Sequence, residues 1–233
     1  MTDFWLMMRL NFKLLPSFQS KKLFVINDIF EPLLSILLLL FLTVGIVRTR
    51  VVDSAMLFAL VGVAMRSTAT FSLLYVTDQN LQIAEFVAHE NPWQRAYWLA
   101  KFAVSALVGL LQGVLTFGIL LILFGYSVHL PAMLGLMVPM ALLGSVIGWT
   151  SAVLAFGKGN PYFYSNLILA VTPILSGAIV PVVTYPIWLQ PVAYALPFAN
   201  LLNGGLFWLI NVLLWFLVGV FGYRYRLKRI LQQ

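Results

Sequence analysis

Six stretches of the chain, at about residues 30 to 47, 54 to 76, 99 to 125, 131 to 156, 162 to 183 and 205 to 223, are apolar almost without interruption. A helix crossing the hydrocarbon core of a bilayer needs about 20 such residues, so each stretch reads as a spanning helix. Together they dominate a chain that is 62% hydrophobic and 9% charged, where a soluble domain is about 25% charged. The fold class read from this is an all-α integral membrane protein with six transmembrane helices, a single membrane domain over residues 1 to 233.

Six crossings put both termini on one side. The N-terminal segment, the connection between the second and third runs, Lys158, and the tail residues Arg224, Arg226, Lys228 and Arg229 place eleven Lys and Arg on that side, against Arg48 and Arg50 on the other. The positive-inside rule makes the richer side cytoplasmic. The formal charge of +7 therefore belongs to clusters beside apolar runs, where anionic lipid attracts them, and calls for no nucleic acid. The chain has no cysteine, which excludes disulfides, thiolate catalysis and Cys-ligated metals. The first thirty residues mix polar and apolar side chains and do not read as a cleaved signal peptide.

Residues 2 to 15, TDFWLMMRLNFKLL, read as an amphipathic helix within an interfacial segment at 2 to 22. Trp5, Arg9 and Lys13 fall on one side, and Phe4, Met7, Leu10 and Leu14 lie largely on the other. Pro16 ends the helix, and Lys21 and Lys22 precede the first span. The second departure from the apolar pattern is Thr77 to Lys101, with Asp78, Glu85, Glu90, Arg95 and Lys101. Its middle reads as a short helix: Asn80 caps the start, Ile83, Phe86 and Val87 recur at helical spacing, and Asn91-Pro92 stops it. The cytoplasmic loop containing it is placed at 77 to 98.

Residues 181 to 204, PVVTYPIWLQPVAYALPFANLLNG, carry no charge but have prolines at 181, 186, 191 and 197, so they do not form one straight helix. Tyr185, Trp188 and Tyr194 suit the headgroup level. Irregular backbone within a bilayer needs cover from protein or a water-filled cavity. The expectation is a re-entrant pair of short helices over 184 to 203 that caps a central path, with a plain extracytoplasmic loop as the alternative. The motifs Gly109-x-x-x-Gly113 and Gly144-x-x-x-Gly148, and the small residues Thr172, Ser176, Gly177 and Ala178, let helix backbones approach closely, either within the chain or between subunits.

Arg66 is the one basic residue well inside a run. Charge at that depth marks a substrate path or relay, or else Arg66 bonds to neighbouring helices or pairs with Asp28 or Glu31. No titratable carboxylate or histidine lies deep in a span, which disfavours proton coupling. His89 and His129 fall on opposite sides and cannot share a metal. Gly157-Lys158-Gly159 lacks the longer glycine loop and the Ser or Thr after Lys that a phosphate loop needs. No G-x-S-x-G occurs to support a serine nucleophile.

The order of parts is similar to one known family. An interfacial helix precedes a first span opening with Glu31-Pro32-Leu33, a charged helix ending in Asn91-Pro92 lies between spans two and three, and a broken segment precedes span six. Residues 160 to 191, NPYFYSNLILAVTPILSGAIVPVVTYPIWLQP, carry the strongest likeness, with aromatics, Thr-Pro, Ser-Gly and a Leu-Gln-Pro continuation. The chain resembles the permease subunits of type-2 ABC exporters, closest in appearance to those for nodulation lipo-oligosaccharides, drugs and cell-surface polysaccharides. That resemblance implies a pair of permeases, usually a homodimer, in a bacterial inner membrane, bound to two separate ATPase subunits that hold ATP and Mg, with no cofactor in this chain. It implies that the 81 to 92 helix is the coupling helix, with Gln82, Glu85, His89 and Glu90 as its contact residues. Glu85 stands about one residue further from Pro92 than the family pattern, and FANLLNGG follows Leu196-Pro197 where many relatives have an arginine, which leaves the substrate class open.

An amphipathic substrate suits Arg66, Phe71, Tyr75, Phe163, Tyr164 and Ser176 as path residues, although such aromatics also serve as interface anchors. A membrane enzyme acting on lipids is the reading from another class, with only Asp78, Glu85, His89 and Glu90 to carry it. A secondary transporter is disfavoured by the absence of buried carboxylates and of a visible inverted repeat.

Overall fold

The computed structural model describes residues 2–46, 51–125, 130–156, 159–202 and 207–230, and every regular element among them is helical. Arg48, Arg50, His129, Gly157 and Lys158 lie outside the described residues. Helix α1 (Thr2–Leu14) stops where Pro16 opens the short α2 (Pro16–Gln19). The chain then runs without a break from α3 (Lys21–Val25) through a π turn (Ile26–Phe30) into α4 (Glu31–Ile46). The first long helix thus begins at Lys21 and not near residue 30, and the interfacial segment expected to reach 22 is divided at Leu15 and Ser20.

Helix α1 also sits differently from its simple apolar stripe. Met8, Asn11 and Leu15 are buried, whereas Leu10 joins Trp5, Arg9 and Lys13 outside. The buried face is rotated because it packs on the end of another helix, against Leu74, Ala100, Val104 and Val108, and a partner of that shape selects the residues that interlock with it.

The remaining elements are α5 (Val51–Asn80), α6 (Ile83–Glu90), α7 (Arg95–Phe124), α8 (Leu130–Ala155), α9 (Phe163–Leu175), a 3-10 turn (Val182–Thr184), α10 (Gln190–Ala195), α11 (Pro197–Leu202) and α12 (Phe207–Ile230). Helix α5 is the axis of the bundle, touching α4, α7, α8 and α9. Both glycine motifs are spent on it. A Cβ added at Gly109 would stand 2.7 Å from the Val63 carbonyl oxygen, and one at Gly144 would stand 2.1 Å from that of Ala64. These are within-chain backbone approaches, and they settle the choice the spacing left open.

Close approach brings hydroxyls to facing carbonyls. The Thr68 hydroxyl lies 2.9 Å from the Gly144 oxygen, that of Ser72 lies 3.2 Å from the Gly148 oxygen, and the Ser105 hydroxyl donates to that of Ser145 at 2.8 Å. The polar half of α5 therefore faces α8. Thr68→Val keeps the shape and removes the donor, and is expected to destabilise the protein by about 1 kcal/mol in a detergent unfolding titration.

The fifth apolar run, expected as one span over 162 to 183, is helical only over Phe163–Leu175, 13 residues or about 20 Å. Pro173 lies in its last turn, and Gly177 takes a left-handed φ of +82°, a conformation that suits glycine and reverses the chain. Buried Ser176 closes this turn, its oxygen accepting the Ala178 N–H at 3.3 Å.

After that, α10 and α11 are fastened to α12 by side chains that reach their free carbonyls. Asn200 and Asn211 both donate to the Tyr194 oxygen, at 2.8 and 2.6 Å, and the Trp215 indole donates to Ala195 at 3.0 Å. Gln190 donates to the Tyr185 oxygen at 2.9 Å, and the Tyr185 hydroxyl donates to Ile174. These bonds give carbonyls of the irregular segment partners within the chain.

Candidate functional site

At one end of the bundle the chain leaves α5 at Asn80, turns through Gln82 in a left-handed conformation (φ 60°), and enters α6. Asn80 is thus the last residue of α5, not the cap of α6. Helix α5 runs further than its apolar run because Asp78 is neutralised. Lys101 Nζ lies 2.8 Å from the Asp78 carboxylate, and the Tyr97 hydroxyl donates to it at 2.6 Å. Lys101 also donates to the Leu74 carbonyl and to Asn11 of α1, both at 3.2 Å. Lys101 is 0% exposed. The charged stretch therefore divides in two, with Asp78 and Lys101 as an internal clamp and the charges of α6 outside.

Helix α6 buries Ala84, Val87 and Ala88 and exposes Gln82, Glu85, Phe86, His89 and Glu90. Phe86 is 65% exposed, so it stands outward among the charges and does not share the inner face with Val87, as its spacing suggested. Asn91-Pro92 ends the helix, and the Pro92 carbonyl accepts from the Trp98 indole at 2.9 Å and from the Tyr223 hydroxyl at 3.0 Å. Trp98 packs edge-on to Tyr223, Trp149 and Tyr97 and stacks with Tyr75. An aromatic block drawn from α5, α7, α8 and α12 thus holds α6 to the helix ends. Trp98, Trp149 and Tyr223 were not singled out in the sequence, where they look like ordinary span-end aromatics.

Arg66 has found the first of the partners considered for it. Its Nη2 lies 2.6 Å from Asp28 Oδ1 and donates to Ser17 Oγ at 2.8 Å. Asp28 lies on the π turn, a rare element whose wide ring often marks functional positions. The pair ties α5 to the segment that enters the first long helix.

Beside Arg66 a groove of about 520 Å³ runs between α4, α5, α7 and α9, from Asn27 and Glu31 at one end to Gln112 and Thr116 within. Of the expected path residues, Arg66 alone lines it. Phe71 is 0% and Tyr75 is 4% exposed, packed on Phe102 and Trp98, and Ser176 is buried in its turn. Phe71 and Tyr75 are core residues because the close α5–α8 packing leaves no opening at their positions, and Ser176 is enclosed in the turn that ends α9. Phe163 is exposed and Tyr164 half-buried at the start of α9, their rings edge to face. Among the described residues no three His, Asp or Glu side chains gather as a metal would require.

Five helices, 21–41, 54–80, 95–124, 130–155 and 207–228, are long and apolar enough to cross a membrane, and α6 is fixed to their ends. This is the architecture of a multi-pass membrane protein. The family model described as ABC-2 type transporter matches residues 2–210, and the chain belongs to that family, the permeases of type-2 ABC exporters. Comparison with curated proteins and with solved structures gives no match.

Proposed function

We propose that this chain forms the translocation path of an ATP-driven exporter together with a second, identical copy, and that α6 couples it to two separate ATPase subunits. The observation that carries the reading is the construction of α6: an exposed face of Gln82, Glu85, Phe86, His89 and Glu90 on a helix clamped to the ends of α5, α7, α8 and α12. A surface of this kind passes a push from a partner into the bundle. The chain binds no nucleotide itself, and ATP and Mg reside on the partner. Both termini and α6 face the cytoplasm of a bacterial inner membrane. The bundle crosses it six times, α9 and the broken segment after it together completing the fifth crossing and capping the path on the outer side. The cargo is amphipathic.

Exposed aromatic residues at the centre of a contact carry a disproportionate share of its energy. Phe86→Ala is therefore expected to weaken binding of the ATPase by about tenfold or more, measured as retention of the ATPase on immobilised permease, without lowering the permease's own unfolding temperature. Replacing residues 81–91 by a Gly/Ser linker is expected to abolish ATPase binding altogether. A complex that forms equally well with the linker would remove the coupling assignment.

A further inference from the structure

Residues 4–27 carry Arg9, Lys13, Lys21 and Lys22 and no carboxylate. All four cations are exposed, and the two ion pairs formed among the described residues belong to Arg66 and Lys101 instead. The end of the bundle built from α1, α2 and α3 therefore presents positive charge that the chain does not compensate.

Where α2 gives way to α3, Ser20 takes an extended conformation (φ −142°, ψ 129°), and beside this corner lies a cleft of about 460 Å³. Ser17, Gln19, Ser20 and Lys21 supply its polar groups, and Phe18 and Phe24, their ring centroids 6.1 Å apart, its apolar ones. The Gln19 amide is engaged, donating to the Lys13 carbonyl at 2.9 Å. Three donors are left. Ser20 makes no capping bond, and the Lys21 ammonium has no ion pair among the described residues. Ser17, 4% exposed, accepts from Arg66 Nη2 at 2.8 Å and gives its own proton to no acceptor among the described residues. A buried hydroxyl with an idle proton is costly. An anionic oxygen in the cleft would take that proton and extend the hydrogen-bond chain from Arg66 through Ser17.

The cleft also lies where a helix enters the bilayer. Lys21 opens the first of the helices able to cross a membrane, and Leu23, Val25 and Ile26 just beyond it are exposed. A ligand seated at Lys21 thus meets an ammonium and two hydroxyls at one end and an apolar helix surface at the other. The volume falls within the range of roughly 300–1,000 Å³ for small-molecule sites. It admits a glycerophosphate headgroup and leaves the acyl chains in the leaflet.

We propose that this cleft binds the headgroup of an anionic phospholipid, with the phosphate at Ser17, Ser20 and Lys21 and the acyl chains along the exposed side of α3. The proposal is independent of the transport reading, since no ATPase takes part in it. It differs from the general attraction of a basic segment to a charged leaflet in being a defined site, held by Lys21 and not by Lys22, which does not line the cleft.

The test is equilibrium binding to the full chain in uncharged detergent, with short-chain phosphatidylglycerol, short-chain phosphatidylcholine and glycerol phosphate as probes. Phosphatidylglycerol is expected to bind saturably and at least about tenfold more tightly than either of the others. Lys21→Gln should weaken it by about fivefold or more, and Lys22→Gln by less than about twofold. Ser20→Leu places a larger apolar side chain at the cleft at a residue that makes no capping bond. It should remove saturable binding and leave the unfolding temperature without lipid unchanged.

Equal binding of phosphatidylglycerol and phosphatidylcholine overturns the anion assignment. Glycerol phosphate bound as tightly as phosphatidylglycerol overturns the lipid as occupant, because the apolar part of the site then contributes nothing. Equal losses in Lys21→Gln and Lys22→Gln, or undiminished binding in Ser20→Leu, overturn the cleft and leave only diffuse attraction to a basic segment. None of these results bears on α6, and failure of the ATPase to depend on α6 would in turn leave the lipid site standing.

Discussion

Gly144→Leu is expected to abolish accumulation of folded protein, with almost no monodisperse material after detergent extraction. A Cβ at Gly144 stands 2.1 Å from the Ala64 carbonyl oxygen, 2.8 Å from its carbon and 2.9 Å from its Cα. All three are backbone atoms of a helix and cannot swing aside, so α5 and α8 would have to separate. Separation also breaks the bonds from Thr68 and Ser72 to the Gly144 and Gly148 carbonyls. Overpacking commonly costs about 1–3 kcal/mol where side chains can repack, and here they cannot. Gly144→Ala should show the same defect in graded form. Gly118→Leu is the control, because a Cβ there meets nothing within 4 Å and normal yield is expected. Similar yields for the two leucine variants would show that the α5–α8 approach does not hold the bundle together.

The second large effect belongs to the clamp beneath α6. Lys101→Met leaves Asp78, 3% exposed, as a buried carboxylate with only the Tyr97 hydroxyl against it, and breaking a buried pair from one side costs about 3–5 kcal/mol. It also frees Asn11, which Lys101 holds at 3.2 Å, so α1 should loosen from the ends of α5 and α7. The expected result is a large fall in unfolding temperature together with faster proteolysis within residues 2–14. In Asp78→Asn/Lys101→Met the loss should be much smaller than the sum of the two single losses, since the uncompensated charge is gone. Additive losses would mean that the two groups do not act as a pair.

Much of this was readable along the chain. The apolar runs, the short helix ending at Asn91-Pro92 and the stop at Pro16 follow from local composition, because a run's hydrophobicity and a proline's missing N–H do not depend on what lies across the bundle. Most of what was misread depended on a neighbour. Asn80 resembles a cap, yet α5 continues through it because Lys101, distant in sequence, neutralises Asp78. Phe71 and Tyr75 resemble path-lining aromatics, and the close α5–α8 contact buries them. Leu10, expected on the apolar side of α1, lies outside while Met8 is buried, because packing on α7 chooses the face. The fifth run has the composition of a full span, but Pro173 and Gly177 end its helix at Leu175.

The sequence by itself determined the class of this protein, a multi-pass helical membrane protein, because the preference for lipid is a sum over consecutive residues. The tertiary structure alone decided that the glycine motifs bring α7 and α8 onto α5 and that Arg66 is held by Asp28 and Ser17. Each of these turns on which two groups come within a few ångströms, and residues far apart along the chain meet only once the helices have packed.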